Sequence, residues 1–470
     1  MSRRHLHFMG IGGVSMGSLA RHFHALGFRV SGCDASAGAS LPELRALGIE
    51  VEVGHDPSHL EGVDTLITTT AVAHDEPELV EARRRGVRVL RRIELLAQLF
   101  REIPAIGVTG THGKSTTSGM IAQILLSAGS DPSVQIGAVL PALAGSMRVG
   151  NGDWLVAEVD ESDPGFAHLA AEIAVIINLD DDHVAGEHQE RRNYHASLAD
   201  LREAARSFAL NAERVVACAD WPGLDTLLEG VPDVITFGRS PQAHYGVENV
   251  ELGPASSRFL LRTPQGERHP VALGVPGLHN VMNAAAALAA TSLTGLDTAK
   301  LITALEEFRG VGRRWQRWGD ADGPMIIDDY AHHPTEVEAT LNAARNTGRR
   351  VRAVLQPHRW VRTARHWRAL ADAASLADEI VVLDVYAAGE AAIPGVSPDL
   401  IVDRLRDAGK SATYLGQQQA VDYLRETLHA DDLVITLGAG DVWQVARDLS
   451  ASHTAVKELE GAVSAYNASS

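Results

Sequence analysis

Three groups of residues in this chain have the types and spacing that chemistry requires. The first reads GTHGKSTT, residues 110–117. Gly110 and Gly113 let backbone N–H groups, including those of Thr111 and Thr116, close around phosphate oxygens; Lys114 supplies a mobile cation and the Ser115 hydroxyl can ligate Mg²⁺. The first glycine of the general phosphate-loop pattern would fall at Val108 and stands two residues later, so this is a shortened loop. The second group is a pair of acidic clusters, EVDESD (158–163) and NLDDDH (178–183), each following an apolar run. The third is DDYAHHPTE (328–336) with HRWVR (358–362), in which Arg359 and Arg362 stand three apart and can address one carboxylate or phosphate.

Position is what these groups need, and the pattern of the chain supplies it. Residues 106–109 are apolar and β-branched, and SGMIAQILLSAG after the loop has helical spacing, so the phosphate loop joins a strand to a helix. The segments DWLVAEVD and AEIAVIIN read as strands of the same parallel sheet. Such a sheet puts strand C-termini on one edge, where Glu158, Glu161, Asp182 and His183 converge on the metal of a bound nucleotide. PGLHNVMNA opens an alanine-rich helix with His279, Asn280 and Asn283, which cap the turn or read an adenine edge.

Two further units flank this centre. The N-terminal segment runs strand, glycine loop (Gly10, Gly12, Gly13), helix, and a second strand ending on Asp34, an acidic residue placed to accept from a ribose. Ser15 stands where the last glycine of a dinucleotide fingerprint belongs, so the motif indicates a nucleotide-like anion rather than NAD. Thr69, Thr70 and Ala71 end a later strand at the ligand-binding edge. After Gly310 and Gly312 a third unit repeats strand, polar loop, helix. The tail from Ala451 is small and polar, a frayed or disordered end.

With 470 residues the chain is too long for one core and divides into three domains at 1–103, 104–311 and 312–470. A net charge of -18 argues against a general binder of nucleic acid or anionic membrane. Two cysteines suit a reducing cytoplasm, and no apolar run spans a bilayer.

Taken together the motifs resemble the Mur ligase family, ATP-dependent amide ligases of peptidoglycan stem-peptide synthesis. GTHGKSTT, EVDESD, NLDDDH, PGLHNVMNA, GVGRRWQ, DDYAHHPTE, QPHRWVRT, DVYAAGE and GAGDVW carry the resemblance over essentially the whole chain. It implies an α/β enzyme of three domains: a Rossmann-like domain for a UDP-sugar, a P-loop domain for ATP, and a Rossmann-like domain that closes with the amino acid. The implied partners are UDP-N-acetylmuramate and L-alanine, the cofactors ATP and Mg²⁺, and the form a monomer or homodimer. Lys114 would contact the β- and γ-phosphates, Ser115 and Glu158 would hold one Mg²⁺, and His183 a second. Around the adenine would sit His279, Asn280 and Asn283, with Arg313 and Asp329 reaching across the hinge. Tyr330, His332, Arg359 and Arg362 would surround L-alanine; Glu161 or Asp163 would meet the metal indirectly or the sugar acid. The rival readings are a family member with another acceptor, such as the tripeptide-recycling ligase, an NAD-dependent oxidoreductase, and a phosphate-loop switch that ligates nothing. ADP release that requires both carboxylate and amine separates them.

Overall fold

The computed structural model of the chain describes residues 4–37, 40–69, 72–182, 184, 195–319 and 323–451. Thr70, Ala71 and His183, expected at the site, lie outside these residues, as does the chain after Ala451. The strands form three sheets. In the first, five parallel strands run in the order Glu50–Val53, Arg29–Asp34, His5–Met9, Thr65–Thr68, Arg88–Arg91. The order reverses between the third and fourth of these, which opens a crevice at their C-terminal ends, beside Gly10 and Thr69.

The second sheet has ten strands. Its centre is Ala105–Thr109, buried at every residue, paired in parallel with Leu155–Glu158 on one side and Ile173–Ile176 on the other. A strand covered on both faces must be apolar along its length, and this one is. The two acidic clusters therefore leave the sheet on either side of the phosphate loop. The segment around residue 260 forms one antiparallel end of the sheet, Ser257–Arg262 against Arg268–Leu273, and Ser133–Leu140 with Gly145–Arg148 forms the other. The third sheet has six strands, parallel except for the Gln316–Trp318 edge, with Met325–Asp329 next to it.

The first two sheets share one apolar core, whose members run from Leu6 to Val311; the helix Val14–Ala25 packs on the strand Ser133–Leu140. The third sheet has two cores of its own, one centred on Ile327 and Leu355 and the other on Val354 and Val434. Alternation along its strands sends successive side chains to opposite faces and so divides them. The third domain accordingly meets the second largely through polar side chains, which rearrange in water at less cost than a shared apolar core.

Candidate active site

Gly113 turns the chain into the helix Lys114–Ser127 with φ +85°, and a Cβ there would stand 2.6 Å from Asn283 Oδ1, so both conformation and space require glycine. The first N–H groups of that helix have no partner within it and face the loop. Lys114 Nζ donates to the carbonyls of Gly110 (2.6 Å) and Thr111 (3.2 Å) and lies 2.6 Å from Glu161 Oε2. Burial alone would lower its pKa, but the charges of Glu161, Asp160 and Glu158 hold it above the ordinary lysine value. Ser115 Oγ donates to Glu158 Oε2 at 2.8 Å, and the same oxygen accepts the Gly137 N–H at 2.7 Å. A hydroxyl and a carboxylate at hydrogen-bond distance are the hard oxygen donors that suit Mg²⁺.

The loop is braced by the neighbouring strand end. Asn178 Oδ1 accepts the His112 N–H at 2.8 Å while its Nδ2 donates to the His112 carbonyl at 3.0 Å. The His112 ring bridges Asp180 and Glu336, 3.2 Å from each. Burial pulls its pKa down, yet the two carboxylates win and raise it to about 9. Thr335 Oγ1 adds a 2.7 Å hydrogen bond to Asp180 Oδ2.

Two cavities meet here. One, of about 430 Å³, is an apolar slot walled by Trp221, Phe237, Leu278, Met282 and Trp315, with His279, Asn280, Asn283, Asp329 and Thr116 at its edge. Flat aromatic and aliphatic walls with a few polar groups at the rim suit a heterocyclic base. Asn280 Nδ2 donates to the Pro276 carbonyl at 2.7 Å, so part of this amide secures the turn. Burial lowers the His279 pKa to about 4 and raises that of Asp329 to about 6, although Asp329 accepts the Trp315 and Ala331 N–H groups at 2.8 and 2.9 Å.

The second cavity, of about 300 Å³, is lined from all three domains, by Ser15 and Arg92, by Lys114, Ser115 and Glu158, and by the 330–362 region. Gly113, Arg314 and Glu336 line both cavities. His332 Nδ1 is 2.9 Å from the Tyr330 carbonyl, an acceptor, so in the neutral ring the proton sits on Nδ1 and Nε2 carries a lone pair. Burial lowers its pKa to about 3. Arg362 is bidentate on Asp182, with contacts of 3.2 and 3.3 Å, and 3.0 Å from His358 Nδ1. Arg359, at φ +70°, opens the helix Trp360–Ala374 and pairs with Glu390 at 2.5 Å.

Several expected residues also have structural partners within the protein. The Arg313 guanidinium is 1% exposed, pairs with Asp328 at 3.2 Å and donates to the Gly438 carbonyl at 2.8 Å. Its neighbour Arg314 lies over the Tyr330 ring at 4.4 Å and faces both cavities. Glu161 sits beneath Lys114, Asp163 caps the turn Pro164–His168 through the Gly165 N–H at 2.9 Å, and their neighbours Asp160 and Ser162 line the cleft. Asp34 Oδ2 accepts the Gly12 N–H at 2.9 Å, which ties the strand end to the Gly10–Gly13 turn. Sequence reasoning passed over His112, Asp180, Arg314, Glu336 and Trp221. His112 and Asp180 stood inside quoted motifs; Trp221 came from a stretch without a motif, where only an aromatic after a strand end was a signal.

A strand, phosphate loop and helix whose lysine and serine face carboxylates, beside a base-sized slot and a cleft shared by three α/β domains, define a nucleotide-using enzyme that works between domains. Models of this family match in chain order: "Mur ligase family, catalytic domain" over 5–103, "Mur ligase middle domain" over 108–291 and "Mur ligase, glutamate ligase domain" over 313–440. The chain belongs to the Mur ligase family. It is 44% identical to a UDP-N-acetylmuramate–L-alanine ligase of Deinococcus radiodurans, over 95% of this chain and 93% of the relative. Identity to the Rhodospirillum rubrum enzyme of the same name is 39%, over 93% and 92%. The crystal structure of the UDP-N-acetylmuramate–alanine ligase of Thermotoga maritima superposes with a TM-score of 0.81 at 31% identity, covering 95% of this chain and 98% of that one. A murein peptide ligase of Psychrobacter arcticus, 24% identical with a TM-score of 0.68, shares the fold. Among the described residues no helix is long and apolar enough to cross a membrane.

Proposed function

We propose that the protein joins L-alanine to the lactyl carboxylate of UDP-N-acetylmuramate with hydrolysis of ATP to ADP and phosphate. The observation that carries this reading is the cleft in which Lys114, Ser115 and Glu158 face Tyr330, His332, Arg359 and Arg362 across a domain boundary. The 44% identity to a ligase of that name, extending over nearly the whole chain, supports the choice of substrates. The division at 1–103, 104–311 and 312–470 is part of the proposal, with the sugar nucleotide on the Gly10 crevice, the adenine in the apolar slot and the amino acid in the cleft.

A carboxylate is a poor electrophile, so it is first activated. The γ-phosphoryl of ATP passes to the lactyl carboxylate, giving an acyl phosphate and ADP. The amine of L-alanine then attacks the carbonyl carbon, and phosphate leaves as the amide forms. Lys114, held cationic by Glu161 and its neighbours, offsets the repulsion between two anions in the first step. Ser115 and Glu158 fit Mg²⁺, which when bound adds charge compensation on the phosphates. In the second step the neutral His332, anchored through Nδ1 on the Tyr330 carbonyl, lines the cleft and orients the attacking amine, whose proton leaves with the departing phosphate. Arg359 and Arg362 line the cleft and orient the alanine carboxylate. His112, Thr335 and Arg362 keep the third domain against the second, which shields the acyl phosphate from water.

The test is ADP release measured with each substrate omitted in turn, with a panel of amino acids and the tripeptide as acceptors. ADP should form rapidly only with both UDP-N-acetylmuramate and L-alanine, one amide per ADP. Equal ADP formation without an acceptor, or faster turnover with the tripeptide, would overturn the assignment.

A further inference from the structure

Away from the nucleotide cleft, His7, Cys33, His59 and Glu78 present four donor atoms that all lie within 4.8 Å of one another. They come from four elements: the strand His5–Met9, its neighbour Arg29–Asp34, the turn Pro57–Leu60 and the helix Pro77–Arg84. Cys33 and Glu78 are 0% exposed and His7 is 2% exposed. A fully buried glutamate facing a sheet is costly unless something compensates it. His7 Nε2 lies 2.9 Å and His59 Nδ1 3.5 Å from Glu78 Oε1, yet none of these three atoms makes a hydrogen bond. Cys33 Sγ is 3.3 Å from Glu78 Oε2. That sulfur donates to Oε2, so the cluster converges with three of its polar atoms, His7 Nε2, His59 Nδ1 and Glu78 Oε1, left unsatisfied.

Outer contacts fix the same groups. Ser31 Oγ, 2.8 Å from His7 Nδ1, leaves Nε2 directed into the cluster. The Asp56 N–H donates to Glu78 Oε2 at 3.2 Å, and His55 Nδ1 stands 3.1 Å from Cys33 Sγ. Such partners orient ligands at metal centres. Two imidazoles, a thiolate and a carboxylate neutralise a dication; each is a ligand type that zinc accepts, and four protein ligands leave no open position. Metal–ligand bonds of about 2.0 to 2.3 Å place tetrahedral donors roughly 3.3 to 3.8 Å apart, which small side-chain shifts reach from here.

We propose that His7, Cys33, His59 and Glu78 form a structural zinc site that clamps the 55–60 segment and the Pro77–Arg84 helix to the first sheet. Binding replaces the Cys33 thiol proton with the Zn–S bond and releases that proton to solvent. The clamp fixes the strand end at Cys33, one residue before Asp34 and its hold on Gly12.

The experiment uses the full, untagged chain purified without chelator. Elemental analysis should find about one zinc per chain after dialysis, and cobalt exchanged for zinc should give a thiolate-to-cobalt absorption band. The cluster of His112, Asp180 and His333 contains no sulfur and cannot produce that band. Cys33→Ser should lose the band, and His59→Ala, on a partly exposed turn, should weaken zinc retention against a competing chelator by roughly 100-fold or more. A wild-type chain that keeps no more zinc than His59→Ala, a cobalt complex without the band, or a band that survives Cys33→Ser would each overturn the site.

Discussion

His112 of the phosphate loop lies 3.2 Å from Glu336, at the start of the third domain's helix Pro334–Arg345, and 3.2 Å from Asp180 of the second domain. One ring therefore ties the loop to the domain that must close over it. Arg362 on Asp182 and Thr335 on Asp180 complete a boundary made of charges and hydroxyls.

The protonated His112 gives this boundary a pH dependence. Its pKa rises from 6.5 to about 9 in the folded protein. A raised histidine pKa contributes stability that is complete below 6.5 and is lost as pH climbs through about 9. Turnover should fall above about pH 9 as docking weakens, and His112→Gln should be slower at neutral pH with a flatter alkaline limb. A wild-type pH–rate profile that is level to about pH 10 would show that the ion pair is not needed.

Lys114, 13% exposed in the cleft, pairs with the fully buried Glu161. Lys114→Ala should reduce ADP formation by about 10²-fold or more and also lower the melting temperature, because Glu161 keeps a buried charge without its cation. The pair Lys114→Ala with Glu161→Gln should recover the melting temperature and leave turnover low. Sugar-nucleotide binding, measured by calorimetry, should persist in both.

Burial ranks the two arginines that cross the boundary. Arg362 and Asp182 are each 9% exposed, whereas Arg365 and Asp181 are 33% and 46% exposed. Arg365→Ala should change kcat/KM less than about fivefold, within the range of screened pairs. Arg362→Ala should cost about 10²-fold, since it removes a cation that orients the alanine carboxylate and takes from the buried Asp182 its bidentate partner. Equal effects in steady-state kinetics would mean that solvent screening does not distinguish them.

Gly113→Ala introduces both a positive-φ penalty and a Cβ 2.6 Å from Asn283 Oδ1. ATP affinity should drop by about tenfold or more. Adding Asn283→Ala removes the contact but also a polar group at the rim of the adenine slot and leaves the backbone cost, so equilibrium binding of ATP should not recover.

Local pattern was enough to locate the strand, loop and helix at 105–127, the acidic strand ends and the loop at 328–336, because each depends on neighbours in sequence: β-branched runs, glycine turns and helical spacing. The resemblance to Mur ligases rested on the same contiguous motifs and agrees with the family match across the three domains. Arg313 and Arg314 mark the limit of that information. Adjacent in sequence and alike in chemistry, both line the inter-domain cleft, but Arg313 is held against Asp328 while Arg314 also reaches the apolar slot, a division that only the path of the backbone around Tyr330 decides. Glu161, Asp160 and Ser162 divide in the same way, since the turn after Val159 decides which side chain supports Lys114 and which lines the cleft. The types of chemistry available were set by the sequence itself. Which group meets which was decided by tertiary packing, because His112 and Glu336, 224 positions apart, come within reach only when two domains dock.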